Sequence, residues 1–290
     1  MSIYSKVWTQ HGLVDRDSLT YPFEERGLQF GDGIYEVVRV YQGEFHLLFE
    51  HVERLFRSAE AIKIHLPFDK QQTMEYLLDL LKVNDVSEDA KVYLQVTRGS
   101  AARDHVFPEV NANLYTYVQK LSRPIANLKN GVSVITLPDV RWQNCYIKSL
   151  NLLPNVLAKQ EAKELGCFEA ILHRDGLVTE CSASNVYMAK DGAIYTHPET
   201  NHILHGCVRL KLKDLANQLG IPFIQEAFTV EQLHNADEIF LSSSTAEVMP
   251  IVKIDRKTVE TGEPGKITTQ LQKAFESDIN IKDSLFTAQI

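Results

Sequence analysis

The chain has 290 residues, 44% of them hydrophobic and 23% charged. That length allows one large α/β domain or two of about 120–170 residues, and the composition excludes a disordered, collagenous or coiled-coil chain. With 38 acidic against 30 Lys and Arg side chains the net charge is −8, which excludes nucleic-acid binding built on clustered cations. Cys145, Cys167, Cys181 and Cys207 make no C-x-x-C pair, which fits a reducing compartment rather than a zinc or disulfide framework. The N-terminal stretch is polar and mixed and no run of 18 apolar residues occurs, so the expectation is a cytoplasmic protein without a membrane anchor.

The first predicted element is a β-hairpin: GIYEVVRV from Gly33, the turn YQGE, then FHLL, two β-branched or aromatic runs around a glycine-bearing turn. In LLFEHVERLFRSAEAI the residues Leu48, Val52, Leu55, Phe56, Ala59 and Ile62 recur at three- and four-residue spacing and form one helical stripe. QQTMEYLLDLLK reads as a second amphipathic helix. KVYLQVTR and NLYTYVQKL read as strands of the same sheet, joined by the polar loop GSAARDHVFPEVNAN, and long loops in compact domains are often functional.

SRPIANLKN, from Ser122 to Asn130, has a proline and no periodicity, so it is read as the linker between a domain of residues 1–121 and one of 131–290. Beyond it GVSVITLPDVRW and NCYIKS read as strands. PNVLAKQEAKEL reads as a helix with Asn151 as its N-cap and Gly166 just past its end. FEAILHR and LVTECSASNVYMA make a hairpin through Asp175-Gly176. HGCVRLKLKDLANQLG is a helix between Gly206 and Gly220, TVEQ from Thr229 has capping-box spacing, and DEIFL is a buried strand ending at Ser242-Ser243-Ser244-Thr245. The fold class is therefore mixed α/β.

Several positions suggest chemistry. A helix starting after Gly206 would point the N–H groups of Cys207 and Val208 outward, and Ser243 and Ser244 stand at a strand end, which together would make an anion cradle. GEPGK at Gly262 lacks Walker spacing and no G-x-G-x-x-G is present, so neither a P-loop nor a Rossmann site is indicated. His197, His202 and His205 lie close in sequence without acidic or Cys partners at a ligand spacing, and they read as loop histidines rather than a metal site. Lys148 lies where a strand-like run gives way to a helix. It is either a surface lysine or an amine held at a core edge, able to form a Schiff base. Glu180 is placed to face a cleft or solvent. Arg103 and His105, two apart in an extended loop, would face one side as a carboxylate receptor. The helical wheel points Arg54 toward solvent.

Taken in order, RGLQFGDGIYEVVRVYQGEFHLLFEHVERLFRSAEAIKI, VYLQVTRG, RDH, DVRW, IKSLNLLPNVLAKQEA, GCFEAILHRDGLVTECSASNVY, ILHG and EIFLSSSTAEVMP make a pattern that resembles the class IV pyridoxal-phosphate aminotransferases, most closely their D-amino acid transaminases. The resemblance implies a two-domain, fold type IV architecture with pyridoxal 5'-phosphate at the domain interface. By the same resemblance Lys148 carries the cofactor through its amine and moves the proton, Glu180 pairs with the pyridine nitrogen, and Arg54 grips the phosphate together with Cys207, Val208, Ser243 and Ser244. Arg141 would lie near the cofactor hydroxyl.

The resemblance also implies that Tyr35, Arg103 and His105 hold the substrate α-carboxylate, the loop reaching the neighbouring subunit of a homodimer. The implied reaction exchanges the amino group between D-amino acids, such as D-alanine or D-glutamate, and 2-oxo acids such as 2-oxoglutarate or pyruvate. Branched-chain L-amino acid transaminases and aminodeoxychorismate lyases are the rival readings. Val208 stands where the family often has Thr, which removes a hydroxyl hydrogen bond of about 0.5–1.5 kcal/mol. Ala183 replaces a frequent serine, and Cys207 an aliphatic residue.

Overall fold

Period-two burial builds the first of two units in the computed structural model, whose described residues are 2–279, 281 and 284–286. This unit runs to Ser122 and includes Ile147–Asn151; the other comprises Arg123–Tyr146 and the chain from Leu152. The first contains β1 (Lys6–Thr9), β2 (Gly12–Asp15), α1 (Arg26–Phe30), β3 (Gly33–Tyr41), β4 (Glu44–Phe45), α2 (Leu48–Ala61), α3 (Lys70–Val83), β5 (Ala90–Thr97) and β6 (Asn113–Lys120). Its sheet is antiparallel, in the order β2-β1-β6-β5-β3-β4. Ile34, Val38, Val92, Leu94 and Val96 are buried on the face that successive odd or even residues share, and α2 lies against β3. The predicted hairpin is present, with Gln42 and Gly43 at φ 49° and 82°. α2 buries Val52, Leu55 and Ala59 as its stripe predicts. Asp69 and Gln72 close a capping box at α3.

Two short elements here have no clear periodic signal. α1 is one five-residue turn, ended by Gly31 in the left-handed region at φ 65°. A side chain at Gly31 would also sit 2.8 Å from Asn151 Oδ1, so glycine is the residue that fits. The second is Ile147–Asn151. NCYIKS reads as a strand in the sequence but forms none; Lys148 and its neighbours instead run irregularly beside the start of β3. The Tyr35 N–H donates to the Lys148 carbonyl and the Leu150 N–H to the Gly33 carbonyl, both at 3.0 Å. With only five residues and an isolated bridge from Ser149 to Ile34, the pairing is too short for a ladder.

The second unit contains α4 (Ile125–Asn130), β7 (Val132–Pro138), α5 (Leu153–Glu164), β8 (Glu169–Arg174), β9 (Leu177–Cys181), β10 (Asn185–Lys190), β11 (Ala193–Thr196), α6 (Cys207–Gln218), β12 (Phe223–Gln225), α7 (Val230–His234), β13 (Glu238–Ser243), β14 (Glu247–Ile254), β15 (Lys257–Thr258) and α8 (Lys266–Asp278). The sheet order is β12-β11-β10-β13-β14-β7-β8-β9, with β15 on β14. Apolar residues from both faces are buried: Val134, Ile171, Val178, Leu241 and Met249 pack in one cluster, Ile135, Ala162, Ala170 and Leu172 in another. Most of the stretch read as a linker is the helix α4, which Pro124 precedes. Asn151 does not cap α5. Leu152 holds the N-cap position, a proline opens the first turn, and the Asn151 amide turns to Ser149 Oγ. Thr229 does cap α7 reciprocally with Gln232.

α8 is fixed by one carboxylate that the sequence reading leaves unassigned. Glu238 accepts from the Ile267 N–H, the Thr268 N–H and the Thr268 hydroxyl at 2.7–2.8 Å, doing for this helix what Gly265 at the N-cap position has no side chain to do. Leu271 and Phe275 of α8 are then buried. All four cysteines are free thiols, and among the described residues no helix is long and apolar enough to cross a membrane. Glu238→Ala should cost about 1–2 kcal/mol of stability; urea unfolding followed by circular dichroism measures it.

Candidate active site

In the first unit, β3 and α2 bring three ionisable side chains together below the surface. Arg54 donates from Nε and Nη2 to the two oxygens of Glu36, both at 2.8 Å, and His51 Nδ1 stands 2.7 Å from Glu36 Oε2. Arg54 is 5% exposed and Glu36 and His51 1% each, so the solvent-facing position read from the helical wheel is corrected. The wheel places apolar residues inside and has no term for a guanidinium whose burial a carboxylate on the next element repays. Burial alone would raise the Glu36 pKa, but Arg54 and then His51 bring it well below the usual carboxylate range. Glu36 is one of the residues sequence reasoning missed. Its signal was alternation: it shares the Ile34 and Val38 face of β3, where a carboxylate needs a partner.

Lys148 belongs to this unit as well. Its backbone is held by the Tyr35 N–H and, at 3.3 Å, by the Ser58 hydroxyl, which accepts from the Lys148 N–H. The side chain lies over the Tyr35 ring, with Nζ 4.3 Å from the centroid. Among the described residues the amine has no acidic partner. In the loop between β5 and β6, Arg103 and His105 are both exposed yet meet one ring: the Arg103 guanidinium carbon is 4.8 Å from the Phe30 centroid, and the His105 ring centroid is 5.5 Å from it.

In the second unit β9, β10 and the segment before α6 converge on Glu180. This carboxylate is 4% exposed. It accepts from Arg141 Nη1 at 2.6 Å, the Leu204 N–H at 3.0 Å and Asn185 Nδ2 at 2.9 Å. Burial raises its pKa above the usual value, and Arg141 and the Leu204 N–H offset that only in part. The opposite holds for Asp139, the second carboxylate on Arg141. Burial would raise it too, but Arg141, Arg174 and Thr179 together hold it below the ordinary range. One guanidinium therefore joins a carboxylate of low proton affinity to one of raised affinity. Asp139 was legible only as the residue two before Arg141, and Asn185 not at all.

Asn185 also shapes the start of α6. A Cβ at Gly206 would overlap Asn185 Oδ1, so a glycine stands there, and it offers no side chain to cap the N–H groups of Cys207 and Val208. Both residues are buried. Such a helix start is a natural seat for an anion. Asn185 pairs in register with Ser242, the residue before Ser243, and the Ser243 hydroxyl accepts from the Ala246 N–H at 3.1 Å. His197 is occupied by the Val178 carbonyl and Thr200, and His205 reaches the Thr200 carbonyl; among the described residues no group of three metal-ligating side chains forms. In the first unit the Lys148 amine over a ring suits an aldehyde; in the second, the buried Glu180 suits a pyridine nitrogen and the helix start at Gly206 suits a phosphate, the groups that pyridoxal phosphate carries.

Comparison with known proteins agrees with this chemistry. The family model for amino-transferase class IV matches residues 33–254. A D-alanine aminotransferase of Staphylococcus haemolyticus is 44% identical over 97% of this chain and 100% of its own length. One of Bacillus licheniformis is 46% identical over 94% of this chain and 97% of its own. In fold, the chain is similar to a branched-chain amino acid aminotransferase of Thermobaculum terrenum in its PLP form, with a TM-score of 0.87, 23% identity and coverage of 96% and 94% of the two chains.

The depressed Glu36 pKa sets a pH dependence. Its stabilisation is fully present above the unfolded-state value near 4.5 and is lost as pH falls through the lower folded-state value. Glu36→Gln should cost about 3 kcal/mol at pH 7, and the gap to the wild type should narrow progressively below about pH 4.5. Denaturant midpoints from pH 7 to pH 3 check both.

Proposed function

The chain belongs to the class IV aminotransferases, and we propose that it exchanges the amino group between D-amino acids and 2-oxo acids with pyridoxal 5'-phosphate as cofactor. What carries the choice of D-substrates is the 44–46% identity to D-alanine aminotransferases over 94–97% of the chain. The Arg103 and His105 pair set on one ring suits the α-carboxylate of an amino or 2-oxo acid substrate.

When bound, the cofactor supplies an electron-withdrawing ring that takes up the electrons left as the substrate Cα gives up its proton. Lys148 holds the cofactor and moves that proton, for which an amine free of acidic partners is suited. Glu180 holds the proton on the pyridine nitrogen. Its raised proton affinity keeps it a strong acceptor, while Arg141, Asn185 and the Leu204 N–H fix its orientation. Arg54, oriented in its plane by Glu36, would hold the phosphate through hydrogen bonds, as would the N–H groups of Cys207 and Val208 and the hydroxyls of Ser243 and Ser244. Val208 offers no hydroxyl for this. Tyr35, Arg103 and His105 hold the substrate carboxylate. The enzyme acts as a cytoplasmic homodimer; the large apolar side chains Phe23, Leu28 and Val106 that the first unit leaves exposed support the dimer.

Mixing the cofactor-loaded enzyme with a panel of D- and L-amino acids should bleach its visible band with D-alanine and leave it unchanged with L-leucine. The reverse pattern would establish the branched-chain L-transaminase, and pyruvate formed without an amino acceptor would establish the aminodeoxychorismate lyase. Lys148→Ala should abolish turnover together with the pyridoxyl label that borohydride fixes on the wild-type chain. A full label on another lysine would overturn the assignment.

A further inference from the structure

Arg103 and His105 lie on an exposed loop, yet they are not left to solvent. Phe30 closes α1, and its ring lies beneath both: 4.8 Å from the Arg103 guanidinium carbon and 5.5 Å from the His105 ring. The guanidinium carbon of Arg26 stands 4.6 Å from the same centroid, and Arg26 Nη1 donates at 2.7 Å to the carbonyl of Asp104, the residue between the pair. Two residues further on, Phe107 is covered by Arg98, 3.6 Å from its centroid. Arg26 and Arg98 are both tied to one carboxylate, Asp32, at 2.8–3.0 Å. Arg98 also donates to the Ile62 and Lys63 carbonyls at the end of α2. The loop is thus pinned by its backbone at Asp104 and by side chains at 103, 105 and 107.

We propose that Phe30 is a positioning residue for substrate recognition: its ring seats Arg103 and His105 as one carboxylate receptor, on a base that Asp32 locks through Arg26 and Arg98. This rests on the carboxylate role given above to Arg103 and His105. The physical point is that a ring holds a guanidinium by its face without neutralising it. A carboxylate in that place would fix Arg103 equally well and consume the charge that a substrate carboxylate needs. Arg26, by contrast, is already paired with Asp32, so it anchors the loop without competing for the substrate.

The test uses the full-length enzyme loaded with pyridoxal phosphate. Phe30→Leu should raise the KM for D-alanine about fivefold, with kcat within about twofold and cofactor affinity unchanged, the pattern of lost uniform binding. Phe30→Met, which keeps apolar volume without a ring, should behave alike, and Phe30→Tyr should restore the wild-type KM. Adding Phe30→Leu to Arg103→Ala should change little beyond the single Arg103 variant, because the ring acts through that side chain. A wild-type KM in both ring-free variants, or effects that multiply in the double variant, would overturn the inference. A wild type without D-alanine turnover overturns the substrate reading and this inference with it. A wild type active on D-alanine beside unchanged Phe30 variants overturns this inference alone.

Discussion

Arg54 and Arg141 are almost fully buried, and a buried guanidinium is tolerated only where carboxylates and carbonyls take up its donors. That requirement organises a cluster in each unit. Glu36 meets Arg54 across two elements, and Asp139 with Glu180 meets Arg141. Each pairing fixes a planar donor fork in one orientation, since Nε and a terminal nitrogen are both engaged. The same rule holds away from the site, where Arg123 joins Glu247 and Glu276. Ion pairs of this kind add little net stability, but they specify where a side chain points, and for a site that is the useful quantity.

The two carboxylates on Arg141 show how one cation serves two ends. Asp139 is met by two arginines and a threonine hydroxyl, and it is the firmly ionised member. Glu180, buried with a single guanidinium that it shares, keeps a raised proton affinity. Were Glu180 given Arg141 alone, its affinity for a further proton-bearing partner would fall. Asp139 draws part of that charge away and leaves Glu180 with an incomplete partner, a state suited to a group that arrives with its own proton.

How much of this was legible in the sequence follows from which interactions are local. The hairpin at Gln42-Gly43, the stripe of α2 and the box at Thr229 depend on neighbours within four residues, and each is found where spacing placed it. Lys148 beside Tyr35, and Asn185 between Glu180 and Gly206, depend on segments brought together by the fold, which periodicity does not encode. Arg54 is the instructive failure: its wheel position is polar by any local rule, and only Glu36, 18 residues earlier, makes it an inward residue. The resemblance of motifs in order supplied Lys148 and Arg54, whereas Glu36 and Asn185 come from the geometry alone.

A distinction among the cations then emerges that neither the net charge of −8 nor the motif pattern contains. Arg26, Arg54, Arg98 and Arg141 are buried and already matched by acids. Among the described residues Lys148 and Arg103 have no acidic partner, and each instead rests on an aromatic ring, Tyr35 or Phe30. A ring constrains a cation through its quadrupole at about 0.5–2 kcal/mol, weaker than a buried carboxylate and without cancelling its charge or accepting its protons. An amine proposed to react and a guanidinium proposed to bind an anion both need that combination of restraint and availability. Arg26 and Arg98 also lie over rings, Phe30 and Phe107, but there Asp32 has already matched the charge.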